Sequence, residues 1–461
     1  ALTDSDRNTA VGFASLSSNT LGQYNTAIGY ATLLAANHTT ATDAYNTAVG
    51  YVAGGAVTTG IRNTLLGGEA GDALTDADDN VAVGALALSA DTLGSRSTAI
   101  GRGALKVQNF TTATQSYNTA VGYSSGESIS TAIQNTLLGA EAGTSLTTGS
   151  QNVAIGAFAL QSETTSANNV AIGREALKTQ DGAANNVAVG RTAGAAVTTG
   201  SENTLVGSLA GDALTAAGFN VAIGYSALGA DTLGSKSVAV GHNNLRSQNF
   251  TTATNSFNTA IGHGAGLDVT TGTLNTLIGG LAGDALTSGN SNVAVGYGSL
   301  TTDTLGDRNV AIGVSALESQ NFTTTTDSYN TAVGYTAGQG VTTGVRNTFL
   351  GSFAGHATTT GFENVLVGYA AGDAIISGSN NVMVGVSVDP SSESVTNGIA
   401  LGVGFTVASN DFSFGKAGNV VTNDFNADAD WSRSSDERLK KNITNQTLGL
   451  DFINALRTVK Y

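Results

Sequence analysis

The sequence predicts an all-β chain, a parallel β-solenoid (β-roll) of about 23 rungs of 17 residues each. Three observations carry that prediction. A pentad of the type Asn-Thr-Ala-Val-Gly recurs on a 17-residue clock, its residues alternate as a strand does, and proline occurs once (Pro390) in 461 residues. Seventeen residues are too few for a strand, a helix and two turns, so each repeat is a coil of sheet.

The pentad starts at residues 8, 25, 46, 63, 80, 97, 118, 135, 152, 169, 186, 203, 220, 237, 258, 275, 292, 309, 330, 347, 364, 381 and, in decayed form, 398. Every step is 17 residues except four steps of 21, which reads as stacked coils with occasional loops. The fourth pentad position is always aliphatic and the second is threonine or a β-branched aliphatic, as at Thr9 and Val11. Positions two apart with that chemistry share one face of a strand. The opposite face carries alanine and then glycine, which predicts close approach of another backbone or sheet. Asparagine leads 20 of the 23 pentads, with Ser97, Ser237 and Gly398 the exceptions, and stacked asparagines can bond along a ladder.

Four rungs make a larger unit. The eighth residue after the asparagine is glycine in the first two rung types (Gly54, Gly71) and leucine in the next two (Leu88, Leu105). Where it is glycine, Val57 or Leu74 appears three residues on, so core volume is conserved while its source moves. The 21-residue steps place inserts at residues 37–44, 109–116, 249–256 and 321–328, each with Thr-Thr and most with Asn-Phe. They suit repeated contacts with a glycan or protein, or packing loops between chains. Packing is the simpler reading, since the insert is missing at Asp181–Ala184 and the repeat continues.

Composition narrows the function. With no cysteine, disulfide scaffolds, thiolate metal sites and thiol catalysis are excluded. A formal charge of -15 disfavours a nucleic-acid binder, and no apolar run approaches the ~18 residues of a membrane helix. His38, His242, His263 and His356 read as scattered surface residues, so neither a metal nor a cofactor is expected. Asp72, Asp212 and Asp284 recur at one corner, only once per unit. Glu69 with Asp72, or Glu141 alone, does not make the carboxylate pair a glycan hydrolase needs. Thr-Thr-Gly, as at Thr147 and Thr198, comes once in four rungs, too sparse for an ice-binding array.

A coil lined by alanine, glycine, serine and threonine buries little, so the rod is expected to associate laterally. The asparagine-led pentad over residues 8 to about 402 resembles the β-roll heads of trimeric autotransporter adhesins and similar repeats of phage tail fibres. That resemblance implies a homotrimer. Residues 403–434 lose the clock, gain Phe405, Phe412, Phe414, Phe425 and Trp431, and read as an end cap and linker.

Residues 435–461 open with Ser435, Asp436, Arg438, Leu439, Lys440 and Ile443 and continue Leu448-Gly449-Leu450-Asp451-Phe452-Ile453. This passage resembles the start of the auto-processing intramolecular chaperone at the C-termini of phage endosialidases, tail spikes and tail fibres. In such chemistry a desolvated lysine takes the proton of a serine hydroxyl as it attacks the carbonyl before it. The acyl shift turns that amide into an ester and frees the serine amine, and water then opens the ester. The resemblance assigns Ser435 as nucleophile, Lys440 as base and Asp436 as a turn-holding residue, with cleavage between Ser434 and Ser435. It implies a structural tail fibre located on the virion, whose shaft is no enzyme and whose parent chain cuts itself once. The partners implied are two further copies, other tail proteins and a host-surface glycan or protein, without nucleic acid or membrane insertion. The alternatives are a bacterial trimeric surface adhesin and, further off, a polysaccharide-degrading tail spike.

Overall fold

A computed structural model describes residues 7–427. They form a parallel β-solenoid whose main sheet has 25 strands, one per rung plus a closing strand. Each pentad supplies a short strand, Thr47–Val49 for example, that pairs in parallel and in register with the next, Thr64–Leu66. The repeat count rises by one. A further parallel strand, Asp411–Lys416, follows Ile399–Val403 after a shorter step that sets Phe412 against Ile399. Phe412 and Phe414, which the sequence assigned to the cap, therefore lie on a last rung. Asn419–Asp424 then turns back antiparallel and covers that rung's open edge.

The strand faces are opposite in sense to a simple reading of their hydrophobicity. The third pentad position, usually alanine, points into the coil and is fully buried from Ala27 to Ala400, with Leu65, Leu137, Leu205, Leu277 and Phe349 in the second rung type. The β-branched second and fourth positions point outward. Inside, alanine meets the leucine column, and the compensation goes further than the sequence suggested. A methyl at Gly54 or Gly71 would come within 2.7–2.8 Å of the Leu65 side chain, so those glycines make room for a larger inward residue.

The pentad glycine is invariant for two local reasons. Gly84 has φ of +132°, a conformation that side chains rarely adopt, and a methyl there would stand 2.6 Å from the carbonyl oxygen of Gly101. The close backbone approach predicted for this face is thus made by the next coil of the same chain.

The asparagine column closes each coil. Asn46 donates through Nδ2 to the Gly60 carbonyl 14 residues on and accepts the N–H of Asn63, 17 residues on, at 2.8 and 2.9 Å. Where Ser97 breaks the column, Gln108 substitutes: its Nε2 donates to Ser97 and Asp91 and its Oε1 accepts from Asn118. Threonines at another corner bond coil to coil. The hydroxyls of Thr58, Thr75 and Thr92 donate to carbonyls of the next coil at 3.2, 3.0 and 2.8 Å. This column runs through three rungs of four, yet its hydroxyls are spent on the fold.

Candidate functional site

Two features reach solvent in an organised way: the outer face of the main sheet, and the corners built by the inserts.

The outer face is apolar on every rung. Its fourth-position column runs Val11, Ile28, Val49, Leu66 and onward to Leu401 and Phe414, flanked by the second-position column of threonine and valine. Neither column holds a charge, in a chain of net charge -15. Leu138 and Leu350 are 46% and 47% exposed, and Ile28, Ile100, Ile223 and Ile312 stand 37–39% exposed. A continuous apolar stripe of this length is unusual on a monomer's surface.

Residues just before and just after the pentad line the two edges of this face. The preceding residue adopts positive φ, as at Tyr45, Tyr117, Phe257 and Tyr329, which turns its side chain out beside the sheet. Rings stack rung on rung here: Tyr24 on Tyr45 at 4.9 Å, Tyr30 on Tyr51 at 5.5 Å, and His242 on His263 at 5.1 Å. Cations cover others, with Arg96 over Tyr117, Lys236 over Phe257 and Arg308 over Tyr329 at 5.2–5.5 Å. The histidine expectation needs correction accordingly. His242 and His263 share one column, and His38 is buried beside Asn19 and Gly22 in the place that Phe110 fills in the next unit. Burial lowers the pKa of His38, against the pull of Asp76 and Asp78.

Each insert rests on a buried polar anchor. Asp91 accepts the N–H groups of Gly94 and Phe110 at 3.1 and 3.0 Å and the Gln108 amide at 2.6 Å. Asp231 with Gln248, and Asp303 with Gln320, repeat the arrangement. Burial pushes all three carboxyls up from their ordinary value while the hydrogen bonds pull them down. The insert adds a two-residue strand such as Thr114–Gln115, paired to Gly94–Ser95. Phe110 packs over Gly94, where a methyl would lie 2.7 Å from its ring. Where no insert exists, Glu163 replaces the aspartate. Its longer side chain reaches the turn directly, accepting the N–H groups of Thr164, Thr165 and Ser166 at 3.0, 3.1 and 2.7 Å. A cleft of about 330 Å³ opens beside the second insert between Arg62, Asp76, Asp78, Asp79, Arg96 and Gln115. Its charges already have partners: Arg62 pairs with Asp79, Asp76 accepts from Thr59, and Arg96 donates to Gln115.

Two carboxylates meet in the C-terminal rungs. Asp389 is in direct hydrogen-bond contact with Asp373, nearer than the ~5 Å of a retaining pair. Burial first, then that hydrogen bond and the neighbouring charge, push the Asp389 carboxyl up to about 6. Glu69 adds only a small charge effect to Asp72, whose carboxyl burial raises. Among the described residues, no group of three or more metal-ligating side chains converges, and no helix is long and apolar enough to cross a membrane.

The cleavage residues Ser434, Ser435, Asp436 and Lys440 lie outside the described residues, as does Trp431. What sequence reasoning missed is the outer face and its edges. The signal was present, in the residues bracketing the pentad: Tyr45-Asn-Thr-Ala-Val-Gly-Tyr51 recurs as Tyr117 to Tyr123 and as Tyr329 to Tyr335. No protein-family model matches the chain, and no curated protein matches it.

Proposed function

We propose that the repeat region is the shaft of a phage tail fibre, a rod that spans distance and presents host-contact surface. It works as a homotrimer whose chains meet along the outer sheet face. The apolar face on every rung carries this reading. At ~4.8 Å per rung the rod is about 110 Å long, and a stripe ~10 Å wide offers about 1,100 Å² per copy. A cyclic trimer divides this into about 550 Å² toward each neighbour, against ~800 Å² per partner in a standard stable interface, and the residues flanking the face add the rest. The face is uncharged in an acidic chain, so burying it leaves the charges at the trimer's exterior. The coil's own core is thin, mostly alanine with one or two larger aliphatic side chains per rung, so association supplies apolar burial that one chain lacks. The C-terminal residues belong to this reading as the start of a self-cleaving chaperone, with Ser435 and Lys440 as the reacting pair and other tail proteins and a host glycan or protein as partners.

Sedimentation equilibrium at micromolar concentration tests the assembly. The chain is expected to run at three times its 45.9 kDa mass. Val189→Asp with Val206→Asp, on adjacent outer positions, is expected to shift it toward monomer with the coil still folded. A stable monomer of the unaltered chain overturns the proposal.

A further inference from the structure

Side-by-side association along this face poses a problem of register. The face repeats every rung, so two copies slid by one rung, or by four, bury almost the same apolar surface. Only the rung-zero alignment closes a rotationally symmetric trimer. Any stagger leaves a non-closing, fibre-forming contact.

The edges of the face are not so repetitive. Six rungs carry an aromatic ring on both sides of the strand: Tyr24 and Tyr30, Tyr45 and Tyr51, Tyr117 and Tyr123, Phe219 and Tyr225, Phe257 and His263, Tyr329 and Tyr335. Counted from the rung of Asn8, these are rungs 2, 3, 7, 13, 15 and 19. Four of them directly follow an insert. The rung that would complete a strict four-rung period, led by Asn186 in the insert-free unit, has Asn185 and Arg191 at its edges. The spacing is therefore aperiodic. Slide the pattern along itself by any number of rungs, and at most two of the six positions coincide. Most of these rings stand about half-exposed, from Tyr117 at 47% to Tyr51 at 57%, although stacked or capped by cations within the chain.

We propose that the six ring-framed rungs are register keys for association with further copies of this chain, which rests on the self-association reading above. In parallel, in-register copies, the ring before one strand meets the ring after the same strand in its neighbour. All six contacts form together, and aromatic pairs bury large, rigid area with preferred geometry. A staggered neighbour keeps the aliphatic face, but no stagger sets more than three of the six leading rings against a ring, and the others meet Arg, Gly, Ala, Ser or Val. The aliphatic columns supply attraction, and the rings select one alignment among many.

The chain has no cysteine, so a single spin label can be placed at Thr199→Cys, exposed and outside the sheet face. In the assembled wild type, pulsed dipolar spectroscopy should give one narrow inter-label distance. The comparison variant replaces the ring before each framed strand by serine at residues 24, 45, 117, 219, 257 and 329. It should still sediment as an oligomer, while its distances broaden and lengthen as copies slip by multiples of the ~4.8 Å rung spacing. A narrow, unchanged distance in the serine variant overturns the key and leaves self-association standing. So does a wild-type oligomer that is already staggered. A monomeric wild type overturns both.

Discussion

Asn275 does two jobs with one side chain. Its Oδ1 accepts the N–H of Asn292 at 2.9 Å and its Nδ2 donates to the Gly289 carbonyl at 2.8 Å, all with Asn275 fully buried. Asn275→Ala leaves two backbone groups without partners and should cost about 2–4 kcal/mol. Because each coil touches only its neighbours, the loss should be local. Amide hydrogen exchange should show lost protection over residues 270–295 with distant rungs unchanged, and unaltered protection there would mean that the ladder contributes nothing. Glycine works by exclusion at the same scale. At Gly84 positive φ and the adjacent Gly101 carbonyl both forbid a side chain, which is why this column tolerates none.

The insert is an element with its own foundation. Asp91 accepts the Gly94 N–H of its own turn and the Phe110 N–H of the insert, whereas Glu163, one methylene longer, accepts three N–H groups of its own turn where no insert follows. Deleting residues 109–112 removes the Phe110 N–H from a buried carboxylate, and should leave the rod folded but weakened by about 1–3 kcal/mol. Adding Asp91→Glu should restore most of that loss in urea unfolding, since it rebuilds the native insert-free corner. If the second change makes matters worse, Asp and Glu are not matched to loop length. The C-terminal rungs carry a pH dependence of definite sign. The Asp389 carboxyl is raised from an ordinary 3.8 to about 6, so the folded end binds its proton more tightly than the unfolded chain does. Its stability is favoured at low pH and declines as pH rises from about 4 through 6. Asp389→Asn should flatten that dependence in hydrogen exchange of residues 364–403, and a slope that persists would exclude the pair as its source.

At the scale of the whole molecule, the proposed association would cover a long apolar exterior and add burial that the thin core lacks. The proposed trimer calls for a device that holds its chains together during assembly, and the C-terminal resemblance implies one. Where a complete chaperone of this type follows the rod, mature rods are expected to end at Ser434 and the released fragment to begin at Ser435, because a serine hydroxyl reaches its own preceding carbonyl through a five-membered ring. Ser435→Ala should give a folded, uncut trimer, and Lys440→Ala should slow or stop cutting. N-terminal sequencing of the fragment reads the result. Cutting that continues in Ser435→Ala assigns the cleavage to a different protease. Removal of the chaperone after assembly would leave a trimer with a high barrier to unfolding.

The amino-acid sequence by itself determined the coil: its 17-residue period, the corner asparagines, the inserts and the leucines that trade places with glycine. All of these are properties of one repeat stacked on a copy of itself, and a stack turns sequence period directly into spatial column. Sequence alone did not say which face of the strand is inside, because alternation marks two faces without assigning them. Alanine looks like the surface choice and valine like the core. The coil's diameter decides otherwise, leaving room inside for alanine beside one or two larger aliphatic side chains and turning Val49 and Ile28 outward. Nor did sequence show that Gln108 fills the gap at Ser97, or that Asp91 is the insert's anchor, since those partners lie 11 to 19 residues apart and meet only when the coils close. The last rung at Asp411–Lys416 escaped for a related reason: its step is shorter than the clock, and only backbone pairing with Ile399–Val403 identifies it.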